Sequence, residues 1–507
     1  MKLPILNIYA NSPKVKQISD SLAVRENKVH LKGLIGSSLS VIVASLFKKE
    51  ELPYLLILQD KEEAAYYLND LEQLIGEEDV LFYPGSYRRP YQIEDTDNAS
   101  VLLRAEVLNR INSRKKPALI VSYPEALFEK VVTRKELDKN TLKVAVGDQV
   151  SIDFINEVLF EYEFKRVDFI TEPGEFSVRG GILDVFSFSN ENPFRIEFFG
   201  NEVDSIRTFD VETQLSIEKQ KKITIIPNVE NKFFQENRES FLNYINEKTV
   251  LLIQNTDLLF SKLDQLFGRA KEIFGTMDAT VNHIAPEELF LNQEAFIKKA
   301  LDFTIAELGS KAIFRTQKTF EFHILPQPSF NKQFDLLLNN LNDNQQNGYK
   351  NYIFCSNEQQ AKRFHDIFES LDEANSENIR KQYHAVVFPL YQGFVDEENQ
   401  IACYTDHQIF ERYHKFSIKN GYSKKQTITL KELNTLSVGD YVTHIDHGIG
   451  RFGGLQKIQV ENKTQEAIKL VYADNDIVYV SIHSLYKISK FNGKDGSPPK
   501  IYKLGSN

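Results

Sequence analysis

Over the first 130 residues, short apolar runs alternate with polar, Glu-rich stretches of helical period. That alternation restricts the chain to a parallel sheet layered with helices. The runs are VIVASLF (41–47), YLLILQD (54–60), VLFYP (80–84) and ALIVSYP (118–124), each a buried strand or a buried helix. KEEAAYYLNDLEQLIGEE (61–78) is the clearest helical stretch between them. Around residue 140 the pattern changes to short strands joined by tight polar turns: LKVAVGDQV, EFSVRGGILDVFSF, FRIEFFG and EVDSIRTFD. This is the signature of an antiparallel meander. α/β character returns at 228, with VLLIQ (250–254) and KTFEFHILP (318–326), so the meander reads as an insert. KNYIFCSN, EQQAKRFHDIFESL, HAVVFPLY and QIACYTD form a further α/β segment. From Leu433, the strands YVTHI, GRFGGLQKIQV, AIKLVYA and DIVYVSI give a small SH3-like β-barrel. The expected fold class is multidomain α/β. It comprises an α/β domain in two parts (1–139 and 228–345), an inserted α+β domain (140–227), an additional α/β domain (346–430) and the C-terminal β module (433–507).

Composition narrows function. Asp and Glu number 71 against 61 Lys and Arg, a net charge of -10. The chain lacks the basic excess of a protein built mainly to grip phosphates, which favours protein partners. Cys355 and Cys403 stand alone with no CxxC pair. That argues against a zinc site or a disulfide framework, and for a reducing, cytoplasmic setting. No apolar run reaches the ~18 residues of a membrane span, and MKLPILNIYANSP lacks a signal-peptide cleavage site.

Gly-Leu-Ile-Gly-Ser-Ser-Leu-Ser (33–40) lies where a nucleotide-binding loop GxxxxGK[ST] belongs. Gly33, Gly36, Ser37 and Ser40 suit such a loop, but Leu39 stands in place of the phosphate-neutralising Lys. The loop is either an anion site reduced to backbone contacts or a Gly-Ser turn capping a helix. Neither reading predicts ATP hydrolysis.

In the meander, a loop at Ser189–Pro193 that pairs Phe188 with Phe194 sorts the side chains by parity. Ile182, Phe186, Phe188, Phe194, Ile196 and Phe198 then share a core face. Arg179, Leu183, Val185, Arg195, Glu197 and Phe199 share the other. A turn at Gly200–Glu202 pairs Phe199 with Val203 and adds Ser205, Arg207 and Phe209 to this second face. Arg and aromatic residues are the usual anchors of protein interfaces, and guanidinium grips carboxylates with two bonds. The bland alternative is a solvated outer face with an aromatic tucked under a loop. In the terminal module, the glycines 448, 450, 453 and 454 predict a bulge. After it, Leu455–Val460 is an edge able to accept a partner's strand, or an ordinary edge guarded by Lys457. His444, Asp446 and His447 lack further ligands nearby and read as a turn cluster rather than a metal site.

These stretches resemble one family. GEFSVRGGILDVFSF…PFRIEFFGNEVDSIRTFD resembles the UvrA-binding domain shared by UvrB and the transcription-repair coupling factors. FYPGSYRRPYQIEDTDNASVLLRAEVLNRI with ALIVSYPEALFEKV is similar to those factors' UvrB-like domain. YVTHIDHGIGRFGG…AIKLVYADNDIVYVSIHSLYKISKF looks like their RNA-polymerase-interacting domain, a relative of CarD-type regulators. The blocks stand in the family's order and cover essentially the whole chain. The resemblance implies that Arg179, Arg195 and Phe199, with Arg207 beside them, dock UvrA. It implies that Leu455, Lys457 and Ile458 lie in the strand that pairs with the RNA polymerase β subunit. It further implies a monomeric scaffold without catalytic residues, bound cofactor or membrane contact, its UvrA face masked in the full protein. ATP, magnesium and DNA translocation would belong to motor domains following KLGSN, so the chain reads as the front part of a longer protein. The competing readings are a UvrB-like damage-verification helicase, which needs the lysine missing at Leu39, and a nucleic-acid binder with the arginines on phosphate.

Overall fold

The computed structural model describes residues 4–49, 52–86, 91, 98–113, 116–190, 192–211, 213–228, 238–277, 283–371, 382–412, 438–444, 448–460, 463–473, 476–481 and 488–490. In chain order the strands begin with β1 (Lys28–Lys32), β2 (Tyr54–Ile57), β3 (Val80–Phe82), β4 (Leu119–Ser122), β5 (Val131–Val132) and β6 (Leu142–Ala145). They continue with β7 (Lys165–Arg166), β8 (Glu175–Arg179), β9 (Ile182–Val185), β10 (Phe194–Phe199), β11 (Glu202–Phe209), β12 (Ser216–Gln220), β13 (Lys222–Ile225) and β14 (Arg238–Glu239). Next come β15 (Val250–Gln254), β16 (Thr304–Leu308), β17 (Lys318–Glu321), β18 (Ile324–Pro326), β19 (Lys350–Cys355), β20 (His384–Val387), β21 (Phe394–Asp396) and β22 (Ile401–Thr405). The last are β23 (Tyr441–His444), β24 (Gly448–Val460), β25 (Lys463–Val471), β26 (Ile477–Ser481) and β27 (Ile488–Lys490).

The chain divides into two compact units. One joins Met1–Thr141 to Ile226–Asn420, and the other joins Leu142–Ile225 to Gly421–Asn507. The first unit holds an all-parallel seven-stranded sheet in the order β17-β1-β16-β15-β2-β4-β3. β2 and β4 are buried at every position, as strands covered by helices on both faces should be. VIVASLF is helix, not strand. Helix Ser38–Lys49 is buried from Ser38 to Phe47 and so shows no polar face that would betray its period. The helix Lys61–Ile75 starts where the Asp60 side chain accepts from the Glu63 N–H at 2.9 Å, and it buries Ala64, Tyr67, Leu68, Leu71 and Leu74 on one stripe.

The run KTFEFHILP does not stay in one sheet. β17 completes the parallel sheet, whereas β18 pairs antiparallel with β21 in a second, mixed sheet of order β18-β21-β22-β19-β20. Helix Phe334–Gln346 also buries Leu337 and Leu341 in the second sheet's core, with Ile353, Phe364 and Tyr404. The change of sheet therefore falls between Glu321 and Ile324, ahead of the expected boundary at 345.

In the second unit, β6 and β13 form an antiparallel ribbon, Leu142 opposite Ile225. Between them lie helix Ile152–Glu161, capped by Ser151, and a six-stranded sheet of order β12-β11-β10-β9-β8-β7. The terminal module is a five-stranded antiparallel sheet of order β26-β25-β24-β23-β27, one strand more than expected. It packs around Val442, Phe452, Ile468, Leu470, Tyr472, Val480 and Ile488. Among the described residues, no helix is long and apolar enough to cross a membrane.

Candidate functional site

In the insert, Phe194 faces Val185 and not Phe188, so Arg195 lies opposite Asp184 and Ile196 opposite Leu183. The shift is three positions, an odd number, and it turns every β9 side chain to the face opposite the one expected. Leu183 and Val185 are core residues, with Phe194 and Ile196, while Ile182 lies across from Glu197 on the arginine side. The cause is Phe188. Its ring rests on Gly174, where an added Cβ would meet it at 2.6 Å, and stands edge-on to Phe164 at 5.7 Å. Residues 186–189 thereby leave the strand. Phe186, expected on the core face, clusters with Ile170 and Phe209 beneath the arginines.

The guanidinium groups do converge, but on internal carboxylates. Asp184 is 1% exposed. It accepts from Arg195 through Nε at 2.7 Å and Nη2 at 2.9 Å, and Arg179 pairs with the same carboxylate. The Asp184 carboxylate holds the Arg195 guanidinium above its ordinary pKa. Arg195 also lies over the Phe209 ring at 4.4 Å and donates to the Gln214 carbonyl at 3.3 Å. Arg207, directly opposite Arg195, pairs with Glu197, whose second oxygen accepts from Ser205 Oγ at 2.6 Å. Two like charges are thus adjacent across the strands only because Asp184 and Glu197 neutralise them. Phe209 is on the predicted face, yet fully buried under Arg195.

Phe199 differs from all of these. It is 84% exposed, and alternation along β10 puts it on the side of Arg195 and Glu197. Its partner is Glu202, not Val203, because the turn is the two-residue Gly200–Asn201 with Gly200 at φ +64. A bulge at Asp204 absorbs the difference. Arg179 lies over the Phe169 ring at 5.1 Å, beside an open cleft of about 490 Å³ between Arg166–Phe169 and Ser177–Arg179. Asp184 organises this face, and the sequence reading missed it. Its signal was a lone carboxylate inside the apolar run ILDVF.

In the terminal sheet the glycines act as expected. The β24–β25 register shifts between Phe452 and Leu455, with Gly454 at φ +90. Of β24, β23 pairs only with Gly448–Arg451, so beyond the bulge β24 has one strand neighbour, β25, among the described residues. Leu455 is 44% exposed there. Lys457 and Ile458 stand opposite Glu466 and Gln465, and their side chains lie outside the described residues. His444 is buried, and Asp446 and His447 lie outside the described residues.

The loop at 33–40 turns inward. Leu39 is 3% exposed in the core, where a lysine could not reach a ligand. Gly33, at φ +88, is required because a Cβ would lie 2.2 Å from the Phe322 carbonyl oxygen. The Ser37 and Ser40 hydroxyls donate to Asp70 at 2.6 and 3.0 Å, and Gly36 is at φ +56.

The sequence pattern of the UvrB interaction domain matches residues 142–231, and that of the CarD-like/TRCF RID domain matches residues 436–492. The transcription-repair-coupling factor of Bacillus subtilis (strain 168) is 24% identical over 99% of this chain and 48% of its own length. That of Haemophilus influenzae (strain ATCC 51907 / DSM 11121 / KW20 / Rd) is 22% identical over 89% and 44%. The chain spans about half the length of these curated relatives. A DEAD box protein from Methanococcus jannaschii overlays 80% of this chain and 75% of its own at 8% identity, with a TM-score of 0.26, too low to bear on function. The chain is similar to transcription-repair-coupling factors along nearly its whole length, and it matches the patterns of the UvrB interaction domain and the CarD-like/TRCF RID domain together.

Proposed function

We propose that this chain is a docking scaffold of transcription-coupled nucleotide-excision repair. The insert recruits UvrA, the terminal β module engages the RNA polymerase β subunit, and the UvrB-like α/β body spaces them. The observation that carries the reading is the presence of both interaction domains in one chain. On the insert, Phe199 is the contact residue, because at 84% it is the most exposed large apolar side chain among the described residues and shares a face with paired charges. Arg179, 39% exposed at its side chain, lies on the same face, while Arg195 and Arg207 hold the face in shape. On the terminal sheet, the free side of β24 from Leu455 through Lys457 and Ile458 accepts a strand of the polymerase. We assign ATP, magnesium and DNA translocation to the half of the longer relatives that this chain does not cover, and we place the protein in the cytoplasm.

The test is a binding titration with purified UvrA. Phe199→Ala should weaken binding by about 2 kcal/mol, roughly thirty-fold in Kd, with an unchanged thermal transition. Equal affinity of the two proteins sinks the assignment.

A further inference from the structure

A nucleotide-binding loop takes phosphate with backbone N–H groups that the first helical turn leaves unpaired. At 33–40 four of those donors have partners. Ser38 N donates to Ile35 O at 3.3 Å, Leu39 N to Gly36 O at 3.4 Å, and Ile35 N to Ser38 Oγ at 3.0 Å. The fourth, Ser37 N, donates at 3.1 Å to the carbonyl of Gln392, some 350 positions away in sequence. Gln392 N returns a bond to Ser37 Oγ at 2.9 Å. Tyr391 N donates to Asp70 Oδ1 at 2.9 Å, while Asp70 Oδ2 accepts from Ser37 and Ser40. The Tyr391 ring stacks on Tyr66 with centroids 4.0 Å apart and planes 10° from parallel. Gly36 permits the approach, since a Cβ there would lie 3.0 Å from Gln392 Cβ and 3.1 Å from the Gly393 carbonyl oxygen.

We propose that the turn at 33–40 is a binding site whose ligand is the chain's own segment 391–393. The segment, which lies just ahead of β21, fastens the second sheet to the first at the place where a nucleotide-binding loop would hold phosphate. It is shaped for this role. Gly393 is itself confined, because a Cβ would meet the Cys403 carbonyl oxygen at 2.5 Å, so Tyr391 and Gln392 are presented from a fixed base. Two features work against a nucleotide: the N–H groups of Ile35, Ser37, Ser38 and Leu39 are taken, and the buried carboxyl of Asp70 holds the Ser37 and Ser40 hydroxyls. The inference stands apart from the docking role, since it concerns neither the insert nor the terminal sheet.

Hydrogen–deuterium exchange on the whole chain tests it. The Tyr391 and Gln392 amides should exchange at least about a hundred-fold more slowly than unstructured backbone. Ser37→Ala and Asp70→Asn should each speed them by about ten-fold, with β19 amides unchanged. Millimolar Mg-ADP should leave exchange at 36–40 unaltered. Unprotected Tyr391 and Gln392 amides in the wild type overturn the proposal. So does slowing at 36–40 by Mg-ADP, or protection that both substitutions leave intact. If a variant fails to fold, seen as lost protection across β1 and β2, the wild-type measurements decide alone.

Discussion

Asp184 and Phe199 show how differently two residues of one face behave. Removing the Arg195 guanidinium leaves a buried carboxylate with Arg179 as its remaining cation. Arg195→Ala should destabilise the insert by about 3 kcal/mol, read as an earlier denaturant midpoint. Arg195→Lys should recover only part of that, because an ammonium cannot reproduce the paired bonds to both oxygens. Loss of partner binding in Arg195→Ala therefore reports on folding as much as on contact. Phe199→Ala, at an 84% exposed position, should move the denaturation midpoint by no more than about 0.5 kcal/mol. If Arg195→Ala unfolds at the wild-type midpoint, the shared-carboxylate account of this face is wrong.

Elements were legible in proportion to how locally they are determined. The runs 54–57, 80–82 and 119–122 announced a covered parallel sheet, and 250–254 rejoined it as the pattern implied. Ser38–Lys49 stayed ambiguous because a helix buried all round looks like a buried strand. The parity of β9 was illegible, because it depends on where Phe188 finds a bed, and Gly174 supplies it from the turn ahead of β8. For the loop at 33–40, the missing lysine was plain, but not the occupant drawn from residue 392. The helix Lys61–Ile75 carries a clue in Asp70, a carboxylate within an apolar stripe. Burial pushes this carboxyl from its ordinary 3.8 up to about 7, against the opposing hydrogen bonds from Ser37, Tyr391 and Ser40. Between those values the unfolded chain releases a proton that the folded chain retains. The contribution of this one group to stability is therefore greatest below pH ~4, falls as pH rises toward 7 by about 1.4 kcal/mol per pH unit, and levels off above. Denaturation of Asp70→Asn beside the wild type should show this slope flattened in the variant. Parallel slopes for the two proteins rule out a carboxyl that titrates in that range.

At the scale of the whole molecule, the two interaction domains belong to separate stretches of chain, 142–231 and 436–492. Leu455→Asp should weaken polymerase binding by about 2 kcal/mol and leave UvrA binding untouched, with the reverse for Phe199→Ala. Titrations of both variants against both partners check it, and cross-talk in either direction argues for a shared interface. The β6–β13 ribbon carries a different consequence. Because Leu142 sits across from Ile225, the polypeptide departs from the α/β body at Thr141 and comes back at Ile226 through a single doorway. Paired strand ends are only ~5 Å apart, a gap that a very short glycine bridge can close. The insert is thus a cassette: its removal asks for one short bridge, and its own strands ask of a host only two neighbouring chain ends.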